Sequence, residues 1–274
     1  IKYSHADITL RNTSGTSYGK SLGGLVGQVS GSITIQNSYA KGVLEETTGN
    51  TEAKMGGLVG SNTDADGGCV SITSCFTDMA ISGNGYMGGL LGNIIGSPEW
   101  SNNTVWISDT NVGGSIQNYK QDKYSFYAGG VVGRLVAAWD GEDGYYRQPY
   151  VSFINSSTDV DITLDSTYTS TGRYYAGGFI AYQEANEDNS NYGYISIEGS
   201  SFNGSINLKA AKGGSLYAGG TAGYSTAGIS VKNSRMNMTI SAIANSQSES
   251  NVYAGGMFGY YSITTGTTYS YSCL

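Results

Sequence analysis

Seven glycine doublets, each followed by two mostly apolar residues and a small one, recur along the whole chain. They read Gly23-Gly24-Leu25-Val26-Gly27, Gly56-Gly57-Leu58-Val59-Gly60, Gly88-Gly89-Leu90-Leu91-Gly92 and Gly129-Gly130-Val131-Val132-Gly133. Three more follow: Gly177-Gly178-Phe179-Ile180-Ala181, Gly219-Gly220-Thr221-Ala222-Gly223 and Gly255-Gly256-Met257-Phe258-Gly259. Consecutive doublets lie 32 to 48 residues apart, by difference of their numbers. A period of roughly 20 to 50 residues marks a repeat architecture, in which one unit cannot bury its apolar face alone and stacked copies share a continuous core.

Two further runs follow the doublets. The first alternates and ends in a polar-small pair, as in Ile33-Thr34-Ile35-Gln36-Asn37-Ser38, Val151-Ser152-Phe153-Ile154-Asn155-Ser156 and Ile229-Ser230-Val231-Lys232-Asn233-Ser234. The second is a short apolar alternation such as Val160-Asp161-Ile162-Thr163-Leu164. A period of two between turn residues predicts strands, and no stretch carries the 3.6-residue period of an amphipathic helix. Composition agrees: 42 Gly, 2 Pro, 23 Tyr and 13% charged residues. Gly, Ser, Asn and Tyr with alternating Val and Ile suit extended strands joined by turns. The expectation is one all-β domain over residues 1–274, a parallel β-solenoid (β-helix) of seven Gly-Gly-centred repeats with roughly three short strands each.

The stretch Gly23-Gly24-Leu25-Val26-Gly27 through Ile33-Thr34-Ile35-Gln36-Asn37-Ser38-Tyr39-Ala40-Lys41-Gly42 closely resembles the GLUG repeat. That motif belongs to large secreted bacterial surface proteins, among them adhesins and the non-catalytic part of IgA-cleaving metallopeptidases. Repeats one to three match best; repeats four to seven open Tyr-Ala-Gly-Gly, and repeats five and six depart at Ala181 and Thr221. The resemblance spans nearly the whole chain. It implies a secreted or cell-surface β-solenoid and supplies no catalytic residues.

Several function classes are disfavoured. With a net charge of −7 and only 14 Lys plus Arg, the chain has no basic stripe to displace counterions from nucleic acid or to bind an anionic membrane. No apolar run reaches the roughly 18 residues of a membrane span. The first residue is Ile1, as expected of a mature or excised segment. The single histidine, His5, has no nucleophile and base arranged around it in sequence, and clustered Cys and His for zinc are absent. Asp159 and Asp161 share a strand face, but no basic cluster accompanies them for an acidic polysaccharide. A polysaccharide-degrading β-helix enzyme is therefore the remotest reading, and the chain is expected not to be an enzyme. Cys69 and Cys75 lie six residues apart on an extended run, roughly 20 Å between Cα atoms, too far to pair.

Four groups of residues are candidates for a site. Two positions before the doublets stand Ser21, Lys54, Tyr86, Tyr127, Tyr175, Tyr217 and Tyr253. On successive rungs about 4.8 Å apart the five tyrosines form a ladder, either packing or a lateral docking face. Segments 93–103, 134–149 and 182–193 are swollen loops carrying or flanking Trp100, Trp106, Trp139, Tyr145 and Tyr146, a surface for glycan or host protein. Asp64 and Asp66, and Asp140, Glu142 and Asp143, place oxygen ligands on Gly-rich loops, as calcium sites do; no other cofactor is implied. Finally, Ala6-Asp7-Ile8-Thr9-Leu10 matches the third strand of a repeat and Thr268-Tyr269-Ser270-Tyr271-Ser272-Cys273 the second, so the tail supplies what the head lacks. Open solenoid ends expose unpaired backbone groups. Two functions follow: a head-to-tail filament subunit or stalk of a larger surface protein, or an adhesive module using the aromatic loops.

Overall fold

The computed structural model describes residues 1–13, 20–48, 53–63, 69–95, 104–119, 125–136, 138–139, 146–147, 150–166, 172–184, 194–210, 214–244 and 251–262. Its strands are parallel except for one short hairpin, and they stack into four long sheets. The chain is an all-β parallel solenoid of about seven rungs. Each complete rung passes through the sheets in the same order. Rung four shows it: Phe126–Gly129 in what we call the tyrosine sheet, Val132–Val136 in the exit sheet, Tyr150–Ile154 in the short sheet, and Ser157–Ser166 in the long sheet.

The Gly-centred run, expected as one strand, is two, and the glycine pair is the bend between them. The first glycine of each pair turns the chain so tightly that a Cβ on Gly129 would lie 1.9 Å from the carbonyl oxygen of Val132. The second faces the next rung: a Cβ on Gly130 would lie 2.1 Å from the oxygen of Gly178. Close backbone approach of this kind admits only glycine. The bend keeps its hydrogen bonds, because the oxygen of Leu58 accepts the N–H groups of both Leu25 (3.0 Å) and Val26 (2.9 Å).

The corner between short and long sheets explains the polar-small pairs. Tyr3, Asn37, Ser74, Asp109, Asn155, Gly199 and Asn233 all have φ between 48° and 60°, the left-handed region that Asn, Asp and Gly tolerate best. The next residue is a hydroxyl or a thiol. The amide of Thr110 donates to Ser156 Oγ (3.0 Å), that of Ser156 to Ser200 Oγ (3.2 Å), and that of Ser200 to Ser234 Oγ (3.1 Å). Each hydroxyl donates back within its own rung, Ser156 Oγ to the oxygen of Ile154 at 2.7 Å. The column links one rung to the next and satisfies amides that the turn removes from the ladder. Ser156→Ala, which leaves the Thr110 amide unpaired in a buried corner, is expected to cost about 1–3 kcal/mol in urea denaturation. Ser156→Cys should cost less, since Cys75 already holds this position in its own rung and its thiol donates to the oxygen of Thr73.

One contiguous apolar cluster runs up the centre, from Ile35 and Leu44 through Phe153, Phe179 and Phe202 to Leu216 and Ala222. In the long sheet one register column reads Ile8, Gly42, Met79, Gly114, Val160, Gly204, Met238. Large side chains and positive-φ glycines therefore alternate rung by rung.

Residues Ala6–Leu10 lie in the long sheet, as the sequence match expected, but the register is displaced by two: Ile8 stacks in the column of Val160, not of Ile162. A two-residue slip keeps every side chain on its face, so alternation alone does not distinguish the two registers. The swollen loops also begin later than expected. Asn93 lies in strand Leu91–Ile95, Arg134 in Val132–Val136 and Tyr182 in Ile180–Glu184.

Candidate functional site

The tyrosine and exit sheets meet at the glycine bend, and their outward side chains face each other across a seam. One wall is the expected ladder. Tyr127 stacks on Tyr175 at 5.0 Å, Tyr175 on Tyr217 at 4.9 Å, and Tyr217 on Tyr253 at 4.9 Å. The other wall is a second ladder that the sequence reading did not contain: Tyr182, Tyr224 and Tyr260, stacked at 5.0 and 4.9 Å. The walls interlock edge to face, with Tyr175 against Tyr182 at 4.8 Å and Tyr253 against Tyr260 at 5.8 Å. Such pairs contribute about 0.5–1.5 kcal/mol each beyond their buried area.

Tyr86 and Tyr175 are buried, and Tyr253 at the last described rung is 37% exposed. The second ladder fills the space beside the first. A signal for it was present, since Tyr182, Tyr224 and Tyr260 each stand five residues after the first glycine of a doublet. The seam is electrically unfavourable for phenolate. Burial, with the neighbouring Tyr127, pushes the Tyr175 hydroxyl up to about 12 against the opposing hydrogen bond from Arg173. Burial, reinforced by a hydrogen bond to Glu184, raises Tyr182 further, and burial raises Tyr217 and Tyr224.

The seam changes character toward the N-terminus. The tyrosine-sheet wall continues as Tyr86, Lys54 and Ser21, and the exit-sheet wall as Arg134, Asn93, Ser61 and Gln28. The Arg134 guanidinium lies over the Tyr86 ring at 4.6 Å.

Of the aromatic loop candidates, Trp106 lies on the outer face of the short sheet and is 43% exposed. On the same sheet Tyr150, equally exposed, stacks on Tyr194 at 5.4 Å. Trp139 and Tyr146 are brought together as paired residues of the short antiparallel hairpin. Trp100 and Tyr145 lie outside the described residues, as do Asp64, Asp66, Asp140, Glu142 and Asp143. Among the described residues no group of three or more His, Cys, Asp or Glu side chains is placed to hold a metal ion.

His5 stacks on Tyr39 at 5.2 Å. Asp159 and Asp161 are exposed on the long sheet, where Asp161 accepts from the Ser205 hydroxyl at 2.7 Å. Cys69 is exposed and Cys75 buried, and burial raises the Cys75 thiol. Among the described residues no helix is long and apolar enough to cross a membrane. Comparison with protein-family models, curated proteins and solved structures finds no match to this chain.

Proposed function

We propose that this chain is an extracellular structural element: a stiff solenoid segment serving as a head-to-tail filament subunit or as the stalk of a larger surface protein. The observation that carries the reading is the unbroken pairing of the three seven-stranded sheets from the first rung to the last. With the corner hydroxyls, it makes the backbone contact between successive rungs recur along the axis. Such an object resists bending and extension along its axis, and its stability is a sum of neighbour terms that further rungs extend. The likeness of repeats one to three to secreted GLUG repeats supports the extracellular setting. Head-to-tail joining is a heterologous contact that does not close, and such contacts build fibres.

Negative-stain imaging and sedimentation of the purified chain across a concentration series test this. Uniform-width rods that lengthen with concentration are expected of a filament subunit. A stalk segment is expected as single short rods, about 34 Å along the axis for seven rungs at ~4.8 Å each. Particles without that axial geometry would overturn both.

A second reading, an adhesive module, rests on Trp106 and Tyr150 exposed together on the short sheet. Exposed aromatic faces suit sugar rings or partner protein. Binding on a glycan array that disappears in Trp106→Ala, with the fold intact by circular dichroism, is its expected result.

A further inference from the structure

The geometry points to a binding site for a small oxyanion in the N-terminal half of the seam, held by Lys54, Ser61, Asn93 and Arg134. In rungs five to seven each level of the seam is filled by two tyrosine rings, Tyr175 with Tyr182, Tyr217 with Tyr224 and Tyr253 with Tyr260. In rungs one to three the same register positions carry Ser21 with Gln28, Lys54 with Ser61, and Tyr86 with Asn93. Ser21, Gln28, Ser61 and Asn93 thus stand where rings would be, with Lys54 facing Ser61, while Tyr86 keeps its ring.

Several polar atoms of this half of the seam are buried and unmet. Ser61 is 0% and Asn93 1% exposed. The Ser61 hydroxyl, both polar atoms of the Asn93 amide, the Arg134 Nε and the neighbouring Ser21 hydroxyl have no hydrogen-bond partner. Each such orphan costs about 1–3 kcal/mol if it stays unmet, and four of the five atoms belong to groups that donate. Along the seam the carboxylate of Glu184 sits at Tyr182 in rung five, one rung beyond Arg134. The ion pairs among the described residues join Arg11 to Glu45, Lys20 to Glu46 and Lys209 to Asp165; neither Lys54 nor Arg134 takes part in one. Two cations and a row of unmet donors along a strip only a few rungs long match the oxygens of sulfate, phosphate or a carboxylate. The Asn93 Oδ1 is the one orphan acceptor, and rotation of the amide turns its NH2 toward the anion.

Thermal unfolding by circular dichroism, with sodium sulfate titrated against sodium chloride at matched ionic strength, tests the site. The expected result is a saturable rise in midpoint for the wild type, with apparent affinity about tenfold or more weaker in Lys54→Met and in Arg134→Met. Lys209→Met, on the long sheet, should respond as the wild type does. Sulfate also stabilises proteins generally by exclusion from their surface, an effect that does not saturate. A rise that is unsaturable and equal in all four proteins overturns the proposal and leaves water as the partner of these donors.

Arg134→Met also loses the contact with Tyr86, so Asn93→Asp provides an arm independent of that contact. A carboxylate built into the strip should take the anion's place, raising the midpoint in chloride and abolishing the saturable sulfate response. An Asn93→Asp protein with a lowered midpoint and an intact sulfate response would also overturn it.

Discussion

Gly130→Ala is expected to abolish the fold or to cost more than about 4 kcal/mol, while Gly256→Ala should change stability by no more than about 0.5 kcal/mol. The two residues hold the same place in their repeats, second in the doublet. What differs is the neighbour. A Cβ on Gly130 would lie 2.1 Å from the Gly178 oxygen and 3.0 Å from its carbonyl carbon, and backbone on both sides prevents either from moving. The corresponding distances to the next rung's oxygen are 2.0 Å for Gly57, 2.2 Å for Gly89 and 2.2 Å for Gly178. At Gly256 no atom of the described residues lies within 4 Å. The need for glycine therefore comes from the rung that follows rather than from the residue's own backbone angles. Urea denaturation of both variants measures the contrast. Equal losses at the two positions would show that the bend itself, and not rung contact, demands the second glycine. If rungs of another copy stack on this end, Gly256→Ala should also shorten the rods seen by imaging while leaving the single chain as stable as before.

The same contrast shows what a sequence of this kind discloses. The doublets were legible because sterics at a backbone–backbone contact admit one residue type, so the contact is written into the sequence. The corners were legible as Asn37-Ser38 and Asn155-Ser156 for a related reason: a left-handed residue followed by a hydroxyl is a narrow requirement. The second tyrosine ladder escaped because Tyr182 stands at the head of an insertion and was assigned to it, although its distance from the doublet is the same as that of Tyr224 and Tyr260. The alternation of Gly42, Gly114 and Gly204 with Met79 and Val160 becomes visible only once the register is known, because it repeats every second rung. The two-residue register shift at Ile8 is silent for the reason that any even slip is silent. The polar end of the seam was hidden differently. Ser61 carries no signal in sequence and Asn93 falls at the head of a segment read as a loop, and their unmet polar atoms are a property of the assembled seam alone.

The seam also predicts how the fold fails in alkali. A tyrosine whose hydroxyl titrates higher in the folded chain than in the unfolded one holds its proton more tightly when folded, so it stabilises the fold at low pH and loses that contribution as pH rises. For Tyr175 the window runs from 10, the ordinary value, to about 12. Across it, stability should fall by roughly 2–3 kcal/mol for this residue alone, from about 1.4 kcal/mol per pH unit. Tyr182, Tyr217 and Tyr224 are displaced in the same direction by burial, and their contributions act with the same sign. Because the rings are stacked, the first phenolate formed sits against its neighbours and makes the next ionisation harder, until the seam opens as a unit. Urea midpoints measured from pH 8 to pH 12 should therefore be level to about pH 10 and then drop steeply. Tyr175→Phe should be close to wild type at pH 8, since it keeps the ring stack and gives up only the hydrogen bond from Arg173, yet it should lose less between pH 10 and 12. A wild-type midpoint that stays level to pH 12 would mean that the rings reach solvent freely and that the seam is not the closed layer described above.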